Sequence, residues 1–163
     1  MFVTFHEHII RLSHGPAEGL SKIELWEALL EYVRKPQEFV EHMTHAEILE
    51  EVKTAAGVKL VRKLHFDKVE VNDSVDIREK DYEIVTAVAA SEHFPESTFL
   101  IKVEEPEEGN LFMRFIYSED ERNENPMYQD IRKQAYQAKD EYLVEELLKW
   151  VFNKKKTNRE LID

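Results

Sequence analysis

Arg62, Asp73 and Thr86 are the residues whose types and spacing can do chemistry together. Each sits in a segment of alternating apolar and polar residues. A two-residue turn at Asp67-Lys68 sets Phe66 opposite Val69, Leu64 opposite Val71, Arg62 opposite Asp73, Leu60 opposite Val75 and Val58 opposite Ile77. A second turn at Glu79-Lys80 sets Ile77 opposite Tyr82, Val75 opposite Ile84, and Asp73 opposite Thr86. One face is then apolar except for the row Arg62, Asp73, Thr86, while Lys59, Lys63, Glu70, Asp76 and Glu83 occupy the solvated face. Arginine offers a forked donor, aspartate an acceptor and threonine either, so the row can orient a carboxylate, enol or carbonyl. The alternative is a satisfied buried ion pair that fixes strand register.

Other chemistry is sparse. His6 and His8 share a strand face at the spacing of two metal ligands, but His14, His42, His45, His65 and His93 are scattered and supply no matching third ligand. Rim histidines are expected, with no metal and no organic cofactor. The absence of cysteine removes disulfide and thiolate chemistry. Tyr82 and Tyr117 are possible proton donors if they face the same space.

The elements that must position these groups follow from periodicity. Residues 2–12 read as a strand. Gly15, Pro16 and Gly19 mark a loop, and Ser21 with Glu24 forms a capping-box signature. That box opens a helix carrying Leu25, Trp26, Leu29, Leu30 and Val33, and Pro36 starts a second short helix through Phe39, Val40 and Met43. Residues 46–52 form a strand, followed by the two hairpins and a loop at 91–96. A final hairpin pairs 98–104 with 111–117, placing Met113 and Phe115 on one face and Phe112 and Ile116 on the other. Both faces of that last strand are apolar, so Phe112 and Ile116 call for a cover, such as another element or a second copy in a homodimer. From Pro126 a helical pattern reaches about Phe152. Tyr128, Ile131, Ala135, Ala138 and Tyr142 form one stripe, the alanines leaving room for something bound beneath.

The fold class is therefore α+β: a seven-stranded curved antiparallel sheet, two short helices after the first strand, and a long C-terminal helix covering the apolar face over a cavity. Residues 1–153 make one domain, and 154–163 read as a disordered tail. The chain has 163 residues and a formal charge of -12, which disfavours nucleic acid and anionic membranes as partners. No apolar run approaches ~18 residues, so no membrane span is expected. With no signal-like start, the cytoplasm is the expected compartment.

The run Leu25-Trp26-Glu27-Ala28-Leu29, Pro36 with Phe39, and above all the stretch from Glu104-Glu105-Pro106 through Gly109, Leu111-Phe112, Arg114 and Phe115 resemble the AtaL-like family. That family belongs to the START/polyketide-cyclase (SRPBCC, Bet v 1-type) superfamily. Arg62-Lys63-Leu64, Asp73 and Lys133-Gln134-Ala135-Tyr136 add to the likeness. The resemblance implies a helix-grip fold with a hydrophobic cavity between sheet and last helix, and it carries over no catalytic residues.

Three functions fit. The first is binding of a small hydrophobic or amphipathic molecule by Arg62, Asp73, Thr86, Leu60, Leu64, Val75, Ile84, Tyr82, Met113, Phe115, Ala135 and Ala138. The second is a cyclase or dehydratase using Asp73 as base and Arg62 to stabilise an enolate. The third is a cochaperone-like protein-binding module.

Overall fold

Phe66 pairs with Val69 across Asp67-Lys68, and Arg62 lies opposite Asp73, Leu60 opposite Val75 and Val58 opposite Ile77. This hairpin of β3 (Gly57–Phe66) and β4 (Val69–Arg78) has the register the alternation predicts. The computed structural model describes residues 1–12 and 19–162. The expected loop at Gly15 and Pro16, and His14, lie outside the described residues.

Seven strands form one antiparallel sheet. β1 (Phe2–Arg11) and β2 (Met43–Thr54) are its edges, and β5 (Glu83–Val88), β6 (Ser97–Glu107) and β7 (Asn110–Asp120) complete it in the order β1-β7-β6-β5-β4-β3-β2. Gly57 (φ +149) lets β2 turn into β3 against β4, because a Cβ there would meet the Ile77 carbonyl oxygen at 2.0 Å. In β1 a bulge between Thr4 and His6 leaves Phe5 as the extra residue.

The second hairpin departs from expectation. The connection is longer than the two-residue turn: residues Glu79–Asp81 make a 3-10 turn, Tyr82 follows in left-handed conformation (φ 52), and Arg78 pairs with Glu83. Thr86 therefore lies opposite Val75, and Val88 opposite Asp73. The slip is two residues, so every side chain keeps its face, but the Arg62-Asp73-Thr86 row is broken.

Helix α1 (Lys22–Arg34) begins with the expected capping box: the Glu24 amide donates to Ser21 Oγ at 3.1 Å and the Ser21 amide to Glu24 Oε1 at 2.9 Å. The second short helix does not form. Pro36–Glu38 is a lone 3-10 turn, Phe39 leaves helical geometry, and His42 (φ 67) redirects the chain into β2, which claims Met43 as its first residue.

Helix α2 (Pro126–Ile162) runs on through 154–162, the stretch expected to be disordered. Lys154 and Lys155 reach Glu27 and Glu24 of α1 at 3.2 and 2.9 Å. The second half of α2 buries Leu143, Val144, Leu147 and Val151 with Leu25, Leu29 and Val33 of α1 against the apolar half of the sheet. The first half is turned one residue from the expected phase. Tyr128, Ile131, Ala135 and Ala138 are exposed, and Arg132, Tyr136 and Asp140 face inward. Phe112 and Ile116 are half-buried on the convex face. No helix among the described residues is long and apolar enough to cross a membrane.

Candidate ligand site on the concave face

Antiparallel partners share a face, so the ladders lay out the concave surface in rows. One row runs Leu60, Val75, Thr86, Phe99, Tyr117, His6, and the next runs Val58, Ile77, Ile84, Ile101, Phe115, His8. The polar groups gather on one half of this surface, beneath the first half of α2.

Asp140 is the centre of that half. It has no exposed surface, yet Tyr117 donates its hydroxyl to Oδ1 and Oδ2 at 2.7 and 2.8 Å, and His8 Nε2 lies 2.7 Å from Oδ2. Burial raises the proton affinity of the Asp140 carboxyl, and the Tyr117 hydroxyl opposes that rise. Burial, reinforced by the Asp140 charge, also raises that of Tyr117. His8 stacks between Phe115 at 5.2 Å and His6 at 5.1 Å. Burial lowers the His6 pKa, helped by His8 and Lys133. Among the described residues no cluster of three or more His, Cys, Asp or Glu side chains could hold a metal ion.

Arg62 and Asp73 form the buried pair the sequence predicts, at 4% and 6% exposure. Arg62 Nε donates to Asp73 Oδ1 at 2.9 Å and Nη2 to Oδ2 at 2.7 Å, while Nη1 donates to the Val33 carbonyl at 2.7 Å. Three of the guanidinium's five N–H groups are thus engaged. The third bond ties the last turn of α1 to the sheet, a partner that strand phase cannot reveal.

Between these two clusters lies a set of inward groups that keep accessible surface. Val71, Thr86 and Val88 are half-buried on the concave face. Tyr32 of α1 is half-buried, and its hydroxyl keeps accessible surface. Burial pushes its pKa up to about 12, with Arg62, Asp73 and Asp140 near enough to act on it. Lys139 is an exposed residue whose ammonium lies against aromatic rings: it stands 4.9 Å from the Phe99 ring, 5.4 Å from Tyr117 and 5.6 Å from Tyr136. Burial lowers its pKa, and Asp140 partly offsets this. Val71, Thr86, Val88 and Tyr32 thus keep accessible surface on the inner side of the sheet.

The roof is held at its start by Glu119 (7% exposed), which accepts from both terminal nitrogens of Arg132 and from Arg122 at 2.9 Å. Beside it, Val3, Phe5, Glu119, Glu124 and Lys133 help line a depression of about 190 Å³. A second, of about 100 Å³, lies between Glu24, Glu27, Trp150 and Lys154. Both are rim features and smaller than the ~300 Å³ at which small-molecule pockets begin.

The remaining anticipated site residues fall in three places. Leu60, Val75, Ile84, Met113 and Phe115 lie on the concave face with no exposed surface, packed as core. Leu64, 6% exposed, lies on the same face two residues beyond Arg62. Tyr82 packs edge-on to Trp26 at 5.7 Å, with the Lys22 ammonium 4.1 Å over its ring. Ala135 and Ala138 are on the outer side of α2. Sequence reasoning missed Asp140, Lys139 and Tyr32. The available signal was a charged residue three before Leu143 and seven before Leu147, on the stripe those leucines define.

A seven-stranded antiparallel sheet gripping one long C-terminal helix is a helix-grip fold. The chain belongs to the AtaL family: the family profile described as acetylaranotin biosynthesis cluster protein L matches residues 13–154. Among solved structures, Ara h 8.0201 is similar with a TM-score of 0.60 and 15% identity, over 94% of this chain and 99% of that one. The Zhui aromatase/cyclase from Streptomyces sp. R1128 is similar with a TM-score of 0.59 and 13% identity, over 96% of this chain and 94% of that one. No curated protein matches the chain. At these identities the likeness is one of fold.

Proposed function

We propose that this protein binds a small hydrophobic or amphipathic molecule in the recess between the sheet and the first half of α2. The observation that carries the reading is the group of half-buried side chains on the inner side of the sheet and α1, Tyr32, Thr86, Val71 and Val88, with the Lys139 ammonium 4.9 Å from the Phe99 ring. Aromatic faces beside a few convergent polar groups are what such a site needs. Arg62 and Asp73 form its floor near α1, and Thr86 and Leu64 border it. The same fold in the Zhui aromatase/cyclase is compatible with this reading.

The test is mass spectrometry of compounds extracted from the purified protein, with a thermal-shift screen of lipophilic compounds. A co-purified small molecule that raises the melting temperature when added back is expected. No extracted compound, together with no shift across the screen, overturns the reading.

One observation favours a second reading, a cyclase- or dehydratase-like enzyme. Asp140 is a buried carboxyl with raised proton affinity in direct contact with His8 and Tyr117, groups able to relay a proton. Both Asp73 oxygens are taken by Arg62, so proton transfer is better assigned to the Asp140 group. Turnover that survives Asp140→Asn excludes this second reading.

A further inference from the structure

We propose that the Lys139 ammonium anchors the ligand's head group, and that the ligand is an amphipathic anion: an apolar body carrying one carboxylate or similarly charged oxygen group. This deepens the small-molecule reading above and rests on it.

Several cations nearby already have carboxylates, although Lys133, over the Phe5 ring at 5.5 Å, has none within ion-pair distance among the described residues. Arg62 is matched by Asp73, Arg132 by Glu119 and Glu124, and Lys154 by Glu27. Among the described residues Lys139 has no carboxylate within ion-pair distance, because the adjacent Asp140 points to His8 and Tyr117. Its ammonium rests instead beside three rings. Aromatic faces compensate a desolvated cation in part, whereas an anion in hydrogen-bond contact does so far better.

The same rings supply the apolar half of the recognition. Phe99 stacks on Tyr117 at 4.5 Å and Tyr117 on Tyr136 at 4.0 Å, with interplanar angles of 13° and 14°. These near-parallel rings form a column with Lys139 at its flank. Burial depresses the proton affinity of Lys139, and a bound anion would restore it.

Two fluorescent probes separate charge from greasiness: anilinonaphthalene sulfonate, an anion, and phenylnaphthylamine, its uncharged counterpart with nearly the same rings. The chain's formal charge of -12 opposes adventitious binding of the anion, so tighter binding of the sulfonate by wild type is informative without any variant. Lys139→Met is expected to weaken the sulfonate by roughly tenfold or more. It should leave the neutral probe and the melting temperature nearly unchanged, and Lys139→Arg should keep most of the sulfonate affinity. If Lys139→Met melts early, Lys139→Gln takes its place. Equal affinity of wild type for both probes, or equal effects of the variant on both, overturns the Lys139 assignment while leaving the recess intact. Failure of both probes to bind wild type sinks the small-molecule reading and this inference with it.

Discussion

The Tyr117 hydroxyl lies 2.7 and 2.8 Å from the two oxygens of Asp140, joining the last strand to the last helix through a carboxyl group with no exposed surface. With His8 on the same carboxyl, the first strand, the last strand and the last helix are held by one residue at the centre of the concave face. Asp140→Leu would leave Tyr117 and His8 buried without their acceptor, each an unsatisfied polar group. A loss of about 2–4 kcal/mol in urea unfolding is expected. Asp140→Asn, which keeps an acceptor oxygen, should lose about half as much, and Tyr117→Phe a similar amount. A double-mutant cycle between Asp140 and Tyr117 giving no coupling would show the contact to be incidental.

Asp73→Ala should be more damaging. It strands a buried guanidinium, and ~3–5 kcal/mol is the expected loss. The paired change Arg62→Met with Asp73→Leu should recover most of that, because both charges leave together. Full recovery is not expected, since the Val33 carbonyl at the end of α1 loses its donor as well. Chemical denaturation of the two variants beside wild type checks the order.

Tyr32 sets an alkaline limit. Its folded-state pKa is raised to about 12, mainly by burial, against ~10 for an unfolded tyrosine. A raised pKa means the native state holds the proton more tightly. The associated stability is therefore complete below pH ~10 and is lost as pH climbs toward 12. Phenolate absorbance should show a late-titrating tyrosine that Tyr32→Phe removes, and that variant should lose less stability between pH ~9 and ~11 than wild type. A Tyr32 that titrates with the exposed tyrosines contradicts that burial.

The end of α2 is a weaker brace. Removing residues 154–163 deletes the Lys154–Glu27 and Lys155–Glu24 pairs, which are partly open to solvent. A cost of at most ~1 kcal/mol, or about 2–4 °C in melting temperature, is expected at low salt, shrinking as salt is added. A drop of tens of degrees would mean that the tail does much more than clip the two helices together.

Strand phase made the sheet legible because alternation is a local signal with a period of two. The β3–β4 register and the Arg62–Asp73 pair followed directly from it. The next turn did not, since Tyr82 had to enter a left-handed conformation that ordinary residue statistics disfavour. The first half of α2 was misread for a different reason. Its inward stripe carries Arg132, Tyr136 and Asp140, whereas the outward stripe carries alanine, isoleucine and tyrosine. Hydrophobic periodicity picks the greasier side, so it fails where a helix turns polar groups inward. That failure coincides with the candidate site, as expected where function overrides packing.

The bulge in β1 gives this arrangement an asymmetry. Its surplus residue, Phe5, places its ring under the Arg132 guanidinium at 4.0 Å and edge-on to Tyr136 at 6.1 Å. Excising Phe5 would make the β1–β7 ladder more regular and leave His6 and His8 across from Tyr117 and Phe115. It would also remove the ring that braces Arg132 and Tyr136 of α2 against β1. An irregularity in the outermost strand thus works as a clasp on the opening turns of the final helix, and straightening that strand would loosen its hold.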